Sequence, residues 1–169
     1  MSNLRLISES TGSSITSFSI TDVFSSDYDI YKVVLDTIDF ANADLFFRFI
    51  NSSGSVISAS NYDDAVLLLR SYSAFGELKT ENGSSLGSIG FSDLSDKGNA
   101  TVIYIFNPTS SSSYTFALWQ NAGVSSIGTP VRKGIGVLKQ TASMTGINFT
   151  ASSNILNIRA RIYGLRVDS

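Results

Sequence analysis

Neither cysteine nor histidine occurs anywhere in this chain of 169 residues. Without cysteine there is no thiolate nucleophile, no disulfide and no thiolate-bound zinc. Without histidine there is no side chain whose ordinary pKa lies near neutrality, and no imidazole to hold a metal. Charge is also scarce. Only 15% of residues are Asp, Glu, Lys or Arg, against about 25% in ordinary soluble domains. Glutamate is almost missing, with three residues against eleven aspartates. Aspartate suits turns, whereas glutamate and lysine suit helix surfaces, so the deficit argues against helices.

Further absences narrow the partners. The formal net charge is -2 and the cations are dispersed, apart from Arg132-Lys133 and the C-terminal Arg159, Arg161 and Arg166. No basic patch suited to nucleic acid is visible. No apolar run reaches the eighteen or so residues of a membrane-spanning helix. The opening Met1 to Arg5 lacks an apolar segment, which predicts no secretory signal. Four N-x-[ST] sequons, at Asn51, Asn82, Asn99 and Asn148, are what chance provides in a chain so rich in Ser and Thr.

What the chain does have is serine, 31 residues of it, and an apolar content of 43%. The mean hydropathy of +0.14 is too high for a disordered chain. The apolar residues fall in short runs between Ser, Gly, Asn and Asp clusters, the pattern of an all-β sandwich or barrel. Strands are expected over residues 15–20, 29–38, 44–51, 56–58, 101–106, 113–119, 131–140, 144–149 and 155–167. Residues 61–72 fit either a short helix capped by Asn61 or a strand, and the β context favours the strand. Residues 75–100 read as a long loop with one short edge strand around residues 86–91. The expectation is a single antiparallel β-sandwich over residues 1–169. It is jelly-roll-like, with about eight to ten strands, and residues 1–14 are expected to form an extended N-terminal arm. Several strands are apolar on both faces, which points to a homo-oligomer, a trimer being favoured.

Candidate binding or interface residues are few. Trp119 is the sole tryptophan. If Phe116 and Leu118 face the core, alternation turns Trp119 outward, beside Gln120 and Asn121. Such an aromatic next to amides serves a subunit contact or a sugar platform, or else covers one end of the core. Asp63 and Asp64 are adjacent carboxylates, but neighbours on a strand face opposite ways, which argues against a paired acid and base. Tyr62 beside them is a surface-contact candidate and equally suits a turn or cap. Residues 93–99 carry oxygen ligands near a glycine but lack the further acids of a Ca²⁺ loop, so no metal is expected. Gly134-Ile135-Gly136 has no phosphate-loop pattern and suits close packing of a sheet. Arg159 and Arg161 share one strand face and would either meet acids on a neighbouring subunit or be solvated. No catalytic residue and no cofactor is assigned, and the chain reads as non-enzymatic.

Four segments carry a resemblance: Tyr104-Ile105-Phe106-Asn107-Pro108 with the serine-rich Ser110 to Tyr114, Ile147, Arg161-Ile162-Tyr163-Gly164-Leu165, and Asp29-Ile30-Tyr31-Lys32. Together they resemble a diffuse family of small virion structural proteins of tailed bacteriophages. The resemblance implies a jelly-roll-like fold and a place in the virion, assembled in the host cytoplasm. A capsid decoration, cement or knob protein is the role it favours, with phage capsid or tail proteins as partners. The alternative is a tail-fibre or tail-accessory module that binds a host-surface glycan or receptor.

Overall fold

The computed structural model describes residues 3–40, 42–92 and 98–166. Its strands are β1 (Leu4–Ile20), β2 (Ile30–Phe40), β3 (Ala43–Asn51), β4 (Tyr62–Arg70), β5 (Gly76–Gly83), β6 (Leu86–Ser92), β7 (Asn99–Phe106), β8 (Thr115–Gly123), β9 (Pro130–Leu138) and β10 (Met144–Leu165). Every pairing is antiparallel, in the order β5-β4-β9-β8-β7-β2-β10-β3-β6, with β1 along the other edge of β10. The expected all-β antiparallel sandwich is what forms.

One corner makes two layers from this path. β2 and β3 follow one another along the same edge of β10: Ile30–Phe40 pairs with Leu165–Ile155, and Leu45–Asn51 with Ala151–Met144. Between them Asn42 takes a left-handed conformation, φ 56°, and Ser14 does the same in β1, φ 55°. Asn is among the side chains that tolerate that region best. In β10 the registers of both neighbours skip Ser152–Asn154. Three adjacent strands therefore bend at one level, and a bend shared across strands lets a sheet turn a corner. The smaller layer (β6, β3 and the halves of β10 and β1 beside them) folds back so that β6 packs over β8, β9 and β4.

The core lies between the layers. Tyr31, Val33 and Leu35 of β2, Leu45, Phe47 and Phe49 of β3, Ile103 and Ile105 of β7, and Ile147, Phe149, Ile158 and Ile162 of β10 are all buried. They recur at every second position, as a strand with one face inward requires.

Four expectations are settled by this arrangement. Residues 61–72 hold a strand, as favoured. The segment expected to be an arm is the start of β1, paired with β10 from Leu4 onward; its serine-rich sequence hid a strand whose outer face is solvated. The long loop at 75–100 holds β5 as well as the expected edge strand, which is β6 at the opposite end of the strand order. β5 is exposed on both faces from Glu77 to Asn82, so it has no apolar alternation to reveal it. Trp119 points inward, 1% exposed, while Phe116 and Leu118 remain 44% exposed on the outer face. Gly134, opposite it on β9, is the reason. A Cβ there would lie 2.5 Å from Trp119 Nε1, so the missing side chain makes room for the indole, whose ring meets Phe47 edge-on at 5.8 Å.

Candidate functional site

Inversion of β8 leaves an apolar outer face on the larger layer. Cross-strand partners share a face, so the registers define its rows. Lys32, Tyr104, Leu118, Ile135 and Ala65 run across β2, β7, β8, β9 and β4. The next row along the strands is Val34, Val102, Gln120, Lys133 and Leu67, and on the other side lie Phe106, Phe116, Val137 and Asp63. Solvent-facing positions on interior strands of an antiparallel sheet are usually polar. Here Ile135 is 57% exposed, and Leu67, Tyr104, Phe116 and Leu118 are also exposed.

Two shallow depressions share Leu118 and Ile135. One, about 490 Å³, is bounded by Lys32, Tyr104, Gln120 and Lys133 over a floor of Val102, Leu118, Gly134 and Ile135. The other, also about 490 Å³, lies over Ala65, Phe116, Ala117, Ile135, Gly136 and Val137, with Asp63 at its margin. Gly134 joins the two sides of the sheet: its bare inner face admits Trp119, and its backbone lines the outer depression.

The sequence-derived candidates do not assemble into this site, except for Gln120. Trp119 is buried beneath it. Asn121 is buried too, where its Nδ2 donates to the Ala100 carbonyl and to Thr101 Oγ1, both at 3.0 Å. Tyr62 is fully buried: its hydroxyl donates to the Ile57 carbonyl and accepts the Phe49 N–H, both at 3.0 Å. Burial pushes the phenol up to about 12, so it stays protonated and structural. Arg159 and Arg161, both partly exposed, are paired with acids of this same chain. Arg159 grips Asp36 with Nε and Nη2 at 2.7 and 3.0 Å, and Arg161 bridges Asp36 and Glu9 at 2.7 and 3.2 Å. The registers put those acids on the strands flanking β10, a neighbourhood invisible before the strand order is known.

Asp63 and Asp64 do face opposite ways. Asp63 accepts the Asn82 N–H at 2.7 Å and pairs with Lys139 at 2.8 Å, and both hold its carboxyl below the usual range. Asp64 points inward, where burial raises its pKa although it accepts the Gly87 N–H at 2.8 Å. Among the described residues no group of three or more Asp and Glu is placed to hold a metal; residues 93–97 of the loop considered for Ca²⁺ lie outside them. No helix among the described residues is long and apolar enough to cross a membrane.

The polar residues missed by sequence reasoning form a clamp between the layers. Arg132, on the inner face of β9, donates from Nη1 to Asp44 Oδ1 of β3 at 2.5 Å, to Ser88 Oγ of β6, and to the Gly90 carbonyl at 3.1 Å. Its guanidinium lies 5.3 Å from the centre of the Phe91 ring. Only the alternation of β9, which puts Arg132 on the same face as Gly134, signalled it.

No protein-family model and no curated protein sequence matches the chain. Among solved structures it is similar to an alginate lyase of the PL-14 class from Aplysia kurodai, at 9% identity over 86% of this chain and 72% of that one, TM-score 0.38. It is also similar to congerin II liganded with lactose, at 12% identity over 86% and 98%, TM-score 0.36. An exo-inulinase from Aspergillus awamori matches at 12% identity over 96% of this chain and 29% of that one, TM-score 0.36. None of these is a phage structural protein. The expectation of a capsid decoration, cement or knob protein, with capsid or tail proteins as its partners, is corrected on that finding.

Proposed function

We propose that this chain is a non-catalytic binding module that takes a glycan on the outer face of its larger layer. One observation carries the reading: interior strands β7, β8 and β9 present Tyr104, Phe116, Leu118 and Ile135 to solvent beside the amide of Gln120 and the amines of Lys32 and Lys133. A sugar ring has the matching duality. Its C–H faces pack on aromatic and aliphatic side chains, and its hydroxyls take hydrogen bonds from amides and amines at the margin. The face is broad and shallow, suited to a chain of sugars lying across strands. The carboxylate at the edge of the depressions, Asp63, is held in an ion pair with Lys139 and kept below the usual carboxylate range, which does not suit it to protonate a leaving group.

The test is binding of an oligosaccharide panel to the intact chain and to Tyr104→Ala and Phe116→Ala, measured by calorimetry. Both side chains are exposed, so folding should change by no more than about 0.5 kcal/mol. Loss of an aromatic platform should weaken binding about two- to tenfold. Equal binding by the variants and the parent would remove this face from the recognition site.

A further inference from the structure

We infer that the glycan taken by this face is acidic, its carboxylates seated between Lys32 and Lys133. This rests on the reading of the face as a glycan site and names the ligand class within it. The chain carries a net charge of -2, yet the cations on this face are unequally used. Arg159 and Arg161 are taken up by Asp36 and Glu9, Lys139 by Asp63, and Lys79 lies 3.9 Å from Glu77. Lys32 and Lys133 enter no ion pair or hydrogen bond among the described residues. Both line the same depression, with Tyr104 and Gln120 between them. The unpaired carboxylate of the face is Glu81, on edge strand β5. It lies four residues along that strand from Glu77, which shares a row with Lys133, so it is far from either amine.

The spacing suits an extended anion. β2 and β9 are three strand positions apart, so their backbones are separated by about 14 Å. Two flexible amines at that separation do not converge on one small ion. They reach successive acidic groups along a chain, while Tyr104 and Leu118 support the ring between them. Glu77 and Lys79 line a further depression with Lys133 and offset each other in charge, so Lys32 and Lys133, partnerless among the described residues, supply the net positive potential of this part of the face.

The probes are oligogalacturonate and hyaluronan oligosaccharides, each beside its carboxyl-reduced counterpart, so that the members of a pair differ only in a carboxylate against a neutral hydroxymethyl group. Titration of the intact chain should show tighter binding of at least one acidic member. Its advantage should shrink at high salt, as screening shortens from about 10 Å at 0.1 M to about 3 Å at 1 M. Lys32→Gln and Lys133→Gln should each cost the acidic member about two- to fivefold more than they cost its reduced counterpart. Equal affinity for charged and reduced forms would refute the acidic class while leaving the glycan reading intact. Failure of every probe and every neutral oligosaccharide would overturn both. A concentration-dependent dimer that Ile135→Lys dissociates, with no glycan competing against it, would assign the face to a second copy of the chain and also overturn both.

Discussion

Gly134→Ala adds one methyl group at the most constrained point beneath the binding face. Its Cβ would project inward, 2.5 Å from Trp119 Nε1 and against the indole ring carbons. The indole cannot retreat easily, because it is 1% exposed and its far side meets Phe47 edge-on at 5.8 Å. Overpacking of this kind costs about 1–3 kcal/mol. Replacing glycine by alanine also lowers the entropy of the unfolded chain, which returns about 0.4–1 kcal/mol. The expected net loss is about 1–2 kcal/mol, or about 2–8 °C in Tm for a protein of this size. Urea unfolding followed by fluorescence is the assay. Trp119 is the sole tryptophan, so its emission reports on this contact alone, and it should be shielded from a soluble quencher in the native protein. In a Trp119→Phe background the same alanine should be nearly neutral, giving a coupling of about 1–2 kcal/mol. Additive losses, or a native tryptophan open to the quencher, would refute the placement of the indole and with it the floor of the depression.

Two further predictions concern charge. Asp44→Ala should destabilise the protein by about 1–3 kcal/mol, because it strips the buried Arg132 guanidinium of its counter-ion and Ser88 of its acceptor. The partial exposure of Asp44 keeps the loss at that level, and thermal unfolding reads it. Two aspartates should shape the acid limb of stability in opposite directions. Hydrogen bonds from Arg159 lower the pKa of Asp36. Its contribution is therefore complete above the ordinary aspartate value and is lost as pH falls through the lowered one, so Asp36→Asn should flatten the acid decline. Burial raises the pKa of Asp64. The folded state then holds that proton more tightly than the unfolded chain, and stability falls as pH rises from the ordinary value through the raised one. Asp64→Asn should remove that fall, and urea midpoints across the acid range would contradict the assignment if they moved together in both variants.

The fold class was legible because alternation survives wherever one face of a strand is buried: Tyr31/Val33/Leu35 and Ile158/Ala160/Ile162 announce their strands and their inward faces. It failed for β5, which buries nothing between Glu77 and Asn82, and for β1, whose serine-rich start draws its order from pairing with β10. The site was less legible. Of the candidate residues only Gln120 belongs to it, because the others were chosen for chemical type and the site is defined by neighbours.

β8 shows where the division falls. The sequence by itself determined that Trp119 and Leu118 lie on opposite faces, since successive strand side chains must alternate. It did not determine which of the two is inside, because Trp119 on one face of β8 competes for the core with Phe116 and Leu118 on the other. That choice was made only in the tertiary structure, by two glycines on the neighbouring strand that leave a cavity of indole size on the inner side. Once Trp119 fills it, Phe116 and Leu118 have no place but the surface, and the open face follows from packing beneath it.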